Sequence, residues 1–295
     1  MTNWRMAQVV VFGLLLVLAG AFARPPQPHY QEHFSAWKPV DPDPHWDVLI
    51  IGDSRPMTAV MPKSLSQQLG GARTMSYTFA GMGFTEDYLS TAESMLDPNG
   101  RRIMIVGITP RAFTPQAFAS NGFAAAKTNK PWERWVLAQL PAWSTMTRPY
   151  TMGEFRALVS DTKQAIGLKS GRPTPAQLAR SYDRNAVRSA NGYDRGYQKG
   201  PVNPANIDRL IERIERWKAA GIRVLGLYPS GEDPLVEVER KHMDLPAFIE
   251  RFQRAGGEWV NMDGIPIQAN DGVHVQLETA LGFTQRLAEA INKHE

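Results

Sequence analysis

A three-layer α/β/α sandwich around a mostly parallel five-stranded sheet is the fold class this chain predicts. Three observations carry it. In DVLII at 47–51 everything after the aspartate is apolar, and IMIVGI at 103–108 has no polar side chain, as in strands covered on both faces. They alternate with segments whose apolar residues recur at helical spacing. Turn and cap signals (Gly70-Gly71, Asn203-Pro204, Gly221) fall between the two kinds of segment. Such alternation implies crossover connections, and so parallel strands with helices on both faces.

The elements follow in order. The first strand is 47–51. A short helix begins near Pro62 and stops before Gly70. A weaker strand runs from Arg73 to Thr78, then Gly81-Met82-Gly83 leads to a helix from Glu86 to Met95. The third strand is 102–108. At Asn203-Pro204 an N-cap precedes a proline at the first helical position, and Ile207, Leu210, Ile211, Ile214 and Trp217 keep helical spacing up to Gly221. A strand at 222–228, a helix at 245–255 and a strand at 259–262 come next. The last helix is expected to carry Leu277, Leu281, Thr284, Leu287 and Ile291 on one face.

Residues 112–202 break this rhythm and read as an insertion or cap, either partly helical or an irregular surface excursion. They hold Trp132, Trp135 and Trp143 and a polar stretch containing Tyr193 and Tyr197. Aromatics in such an insertion serve either as packing residues or as platforms for sugar rings.

The N-terminus is of another kind. Arg5 precedes the apolar run VVVFGLLLVLAGAFA at 9–23, which ends at Arg24-Pro25-Pro26. Residues 1–24 thus read as a signal peptide with an A-x-A site at 21–23, or as a single transmembrane anchor. Residues 25–46 are rich in proline and read as a semi-rigid linker. The domain at 47–295 is then expected outside the cytoplasmic membrane, in the periplasm or at the cell surface.

Composition excludes some classes. The net charge of +4 is a balance of 33 basic and 29 acidic residues without a dense basic run, so nucleic acid is not an expected partner. There is no cysteine, which removes disulfides, thiolate metal sites and a cysteine nucleophile. No HExxH zinc signature occurs; no metal or cofactor is expected.

The residues that carry chemistry lie after strands, where open α/β sheets hold ligands. Gly52-Asp53-Ser54 follows the first strand and Asp271-Gly272-Val273-His274 precedes the last helix. A serine hydroxyl is a weak nucleophile until a base takes its proton, and an imidazole steadied by a carboxylate is such a base. Ser54, His274 and Asp271 are therefore candidate nucleophile, base and orienting acid. Each also has a plain structural role open to it: Ser54 as a helix cap, Asp271 as a turn residue, His274 as a surface histidine.

Together, GDS after the first strand, glycines after the second, a glycine-containing segment after the third and DxxH before the C-terminal helix resemble the SGNH (GDSL-type) hydrolase superfamily. The resemblance spans about 47–111 and 204–293. It implies a flavodoxin-like sheet and a catalytic triad of Ser54, His274 and Asp271. The implied oxyanion hole is the Ser54 N–H with that of Gly81 or Gly83. Family members carry GxND after the third strand, whose Asn side chain completes that hole. This chain reads Gly107-Ile108-Thr109-Pro110-Arg111 there, which leaves Thr109 as the candidate donor.

The GDSR variant and the N-terminal apolar run further resemble extracytoplasmic members that work beside membrane-bound O-acyltransferases in O-acylating cell-surface polysaccharide. On that resemblance the chain is an O-acetyltransferase or esterase. Its partners are an acyl donor or acylated glycan and a membrane-bound O-acyltransferase, with Arg55 or Arg111 holding an anionic or carbohydrate group. The alternative is a catalytically degenerate accessory protein that binds polysaccharide or the acyltransferase.

Overall fold

A computed structural model describes residues 45–120, 122–124, 175–269 and 271–293, with side chains of the 175–199 helix described from residue 183. The N-terminal apolar run, the linker as far as residue 44 and the three tryptophans of the insertion lie outside the described residues. Among the described residues no helix is long and apolar enough to cross a membrane.

The elements in chain order are β1 (Val48–Gly52), α1 (Ser54–Ala59), α2 (Pro62–Gln68), β2 (Thr74–Thr78), α3 (Glu86–Ser94) and β3 (Ile103–Gly107). A 3-10 turn (Pro110–Phe113) and α4 (Pro115–Phe118) follow. Then come α5 (Pro175–Lys199), α6 (Pro204–Ala219), β4 (Arg223–Leu227), α7 (Asp233–His242), α8 (Leu245–Arg254), β5 (Glu258–Trp259) and α9 (Leu277–Asn292). The five strands form one sheet, ordered β2-β1-β3-β4-β5, and every pair is parallel.

Alternation along the strands builds the three layers. Leu49, Ile51, Met104, Val106 and Val224 point into a core shared with α3, α6 and α8. Val48, Ile50, Ile103, Ile105, Leu225 and Leu227 point the other way, into a core shared with α2 and α9. A strand with both faces buried has no polar side to show, hence the unbroken apolar runs. The cap at Asn203 forms as its sequence implies: the side chain accepts from the Ala205 N–H.

Three details depart from the sequence reading. β5 shrinks to two residues. Two helices, α1 and α7, form where the sequence reading placed none. Leu281 is 44% exposed, because α9 buries Ala280, Phe283, Thr284, Leu287 and Ile291. Leu281 lies one step, about 100°, beyond Ala280, and so falls outside the stripe centred on Phe283, Leu287 and Ile291.

Strand order reverses between β1 and β3, so the connections after those two strands leave the sheet in opposite directions. The carboxyl ends of β1 and β3 therefore flank the crevice that this topology provides for a ligand. At that point the chain packs unusually close. A β-carbon on Gly52, whose φ is +138°, would stand 2.7 Å from the Pro56 ring and 2.8 Å from the Gly107 carbonyl oxygen. Only glycine lets α1 fold back over the sheet so soon after β1.

Candidate active site

Ser54 is the first residue of α1. Asp53, not Ser54, caps the helix: its Oδ1 accepts from the Arg55 N–H at 2.9 Å. That leaves the serine hydroxyl free to face outward. Ser54 Oγ lies 2.8 Å from His274 Nε2, bridging 220 residues of sequence. His274 Nδ1 lies 2.6 Å from Asp271 Oδ2. With the ring proton held at Nδ1 by a carboxylate, Nε2 is the acceptor for the serine hydroxyl.

The turn that carries His274 is pinned to itself. Asp271 Oδ1 accepts from the Val273 and His274 N–H groups at 2.9 and 2.8 Å. Partial burial works against the charged carboxylate, but the His274 ring and these amides outweigh it and hold Asp271 at about 2. The turn is also packed from above by α5. A β-carbon on Gly272, at φ +77°, would stand 2.4 Å from the Ala186 α-carbon. Next to it, Gly272 O accepts from the Glu232 N–H at 3.0 Å, at the start of α7.

The expected oxyanion donors divide. Among the described residues no acceptor takes the Ser54 or Gly81 N–H. The Gly83 N–H, in contrast, donates to the Ala117 carbonyl at 2.9 Å, so it is not available to a substrate. Thr109 is fully buried and its hydroxyl donates to Asp53 Oδ2 at 2.7 Å. A hydroxyl has one proton; Thr109 directs it to Asp53 and braces the turn before Ser54, so it is not free to serve as an oxyanion donor.

The two arginines also part. Arg55 does not reach a substrate: it is 1% exposed, and its guanidinium forks onto Glu239 of α7 at 2.9–3.1 Å. Burial opposes the cation, yet Glu239 and neighbouring groups raise the Arg55 pKa well above its ordinary value. Arg111 is exposed. Its guanidinium carbon stands 5.2 Å over the Tyr193 ring, and a terminal nitrogen comes within 3.8 Å of a β-carbon built on Gly81.

Glu239 is the buried charge that sequence reasoning passed over. Besides Arg55 it accepts from the Tyr197 hydroxyl at 3.0 Å and from the Tyr228 hydroxyl. Burial, then the Glu239 charge, push both phenols well above their usual range, so both stay protonated and donate. A signal was present: Leu235, Val238 and Glu239 stand at i, i+3 and i+4, which sets an acid on the buried stripe of α7. Tyr197 is 2% exposed and belongs to this network rather than to a sugar platform. Among the described residues no cluster of His, Asp and Glu suited to a metal ion forms.

Comparison with known proteins adds little to this geometry. No family model matches the chain, and no curated protein matches it. Solved structures give a loose likeness to a Streptococcus pneumonia protein described, provisionally, as a platelet activating factor. It is 11% identical, with 98% of this chain and 100% of that one covered at a TM-score of 0.35. At that level the likeness carries no argument about this chain. The α/β class and the parallel sheet rest on the fold described above.

Proposed function

We propose that this protein is a serine ester hydrolase or O-acyltransferase that acts on a cell-surface glycan outside the cytoplasmic membrane. The observation that carries the proposal is the chain of short contacts from Ser54 through His274 to Asp271. In the first half-reaction His274 Nε2 takes the Ser54 proton as Oγ attacks an ester carbonyl. The tetrahedral oxyanion is met by the Ser54 and Gly81 N–H groups. Collapse expels the donor alcohol, which takes the proton from His274, and leaves an acyl-serine. A sugar hydroxyl or water then loses its proton to His274, attacks the acyl carbonyl and releases Ser54, which regains the proton.

The exposed Arg111 beside Gly81, with Tyr193 beneath it, suits an anionic glycan. The apolar run at 9–23 supports an extracytoplasmic site, tethered or secreted, and a membrane-bound O-acyltransferase as the acyl source. One observation favours a second reading, an accessory protein with weak or no turnover. Thr109 is committed to Asp53, so only backbone donors remain for the oxyanion. The loss of a single such donor costs on the order of 2.7–4 kcal/mol.

The two readings separate by incubation with a fluorophosphonate and with p-nitrophenyl acetate. The enzyme reading expects labelling of Ser54 and turnover that disappears in Ser54→Ala. An unlabelled, inactive wild type, folded by circular dichroism, leaves the accessory reading. Arg111→Ala is expected to raise KM about tenfold for an ester of an acidic sugar and to leave p-nitrophenyl acetate unchanged.

A further inference from the structure

Ser54 stands between two buried charged residues, each held by a different part of the fold. Asp53, 3% exposed, accepts a hydrogen bond from the Thr109 hydroxyl at the end of β3. Arg55, 1% exposed, forks onto Glu239, itself 2% exposed and 184 residues away in sequence. Tyr197 of α5 and Tyr228 after β4 hold the same carboxylate.

A buried ion pair is not by default a stabilising device. Desolvating both charges offsets much of their attraction, and an apolar pair of similar volume often serves the fold as well. What a fork adds is direction: guanidinium and carboxylate meet in one plane and one orientation. α1 has six residues and cannot hold its own orientation by internal hydrogen bonding. Its start must be fixed from outside.

We propose that Arg55 and Glu239 form a positioning pair for the nucleophile. The fork fixes the first turn of α1 so that the Ser54 hydroxyl stays on His274 Nε2. Through Tyr197 it also ties that turn to α5, the helix that packs on Gly272 of the base turn. Nucleophile and base are thus referenced to the same helix. The inference rests on Ser54 being the nucleophile.

The test compares wild type, Glu239→Gln, Arg55→Lys and the neutral double variant Arg55→Met/Glu239→Gln. Three quantities are read: the rate of fluorophosphonate labelling across pH, kcat and KM for p-nitrophenyl acetate, and the melting temperature. Labelling rate and kcat are expected to fall about 100-fold, the effect of a displacement of about 1 Å. KM is expected to stay within about twofold, and the midpoint of the pH profile should not move, because His274 and Asp271 are untouched. The double variant strands no buried charge and is expected to regain its melting temperature without regaining rate.

A folded double variant that labels at the wild-type rate overturns the proposal, as does a full rate in Glu239→Gln. If the double variant does not fold, Arg55→Lys decides: it keeps both charges and removes the fork, and an unchanged labelling rate overturns the proposal. A wild type that never labels overturns the nucleophile assignment itself, an outcome visible before any variant is made.

Discussion

The Thr109 hydroxyl donates to Asp53 Oδ2 at 2.7 Å, with both side chains buried. The other Asp53 oxygen accepts from the Arg55 N–H, so the residue before Ser54 is tied at once to the end of β3 and to the first turn of α1. The position that the resemblance assigns to an oxyanion-hole side chain braces the turn before Ser54 instead.

Thr109→Val keeps the shape and removes the proton that Asp53 receives. A buried carboxylate oxygen is then left without its donor, at a cost of about 1–3 kcal/mol. Urea unfolding is expected to show that loss, with turnover reduced at temperatures where the variant is fully folded. An unchanged unfolding midpoint would mean that another donor replaces the hydroxyl.

Asp271→Asn leaves the turn nearly isosteric but removes the charge that keeps the ring proton on His274 Nδ1. On the proposed mechanism kcat falls by about 10⁴-fold while the far-ultraviolet circular dichroism spectrum is unchanged. A loss of only a few-fold would place Asp271 outside the chemistry and leave it as a turn residue.

Acid stability carries a second signature of Asp271. Its pKa is held at about 2 in the folded protein, where the His274 ring and two amides outweigh the effect of burial. An unfolded aspartate titrates at about 3.9. A lowered folded pKa means that the stabilisation is fully present above the unfolded value and is lost as pH falls through about 2. The free-energy difference between wild type and Asp271→Asn should therefore be flat at neutral pH and narrow as acid takes the pH from about 5 towards 2. The side chain is 52% exposed, so the effect is modest and shrinks with added salt. A difference that ignores pH across this window would contradict the pinned carboxylate.

Gly272→Ala places a β-carbon 2.4 Å from the Ala186 α-carbon, on a backbone at φ +77°. Strain at such a position costs on the order of 1–3 kcal/mol, and relief requires α5 or the base turn to move. Reduced labelling of Ser54 together with a lower melting temperature is expected. Full activity would show that α5 yields without disturbing His274.

Much of the fold was legible because its signals are local. β1 and β3 are apolar throughout because both faces are covered, and Asn203-Pro204 caps α6 through an atom two residues away. α1 escaped notice because it is six residues of mixed character placed by Gly52 and Pro56, not by a periodic stripe. Leu281 misled because four apolar residues and a threonine at helical spacing admit more than one face, and packing into the core shared with α1 and α2 selects among them.

By itself the sequence determined the α/β class, the parallel sheet and the strand-end placement of Ser54, Gly81, Asp271 and His274. Near-neighbour patterns of apolar and turn residues are enough for that. Only the tertiary structure decided which polar groups were already engaged. Thr109 is spent on a partner 56 residues away, and Arg55 on one 184 residues away. Ser54 meets its imidazole across 220 residues. A donor's availability depends on what the fold sets beside it, and a hydroxyl or N–H that has found one buried acceptor has nothing left for a substrate.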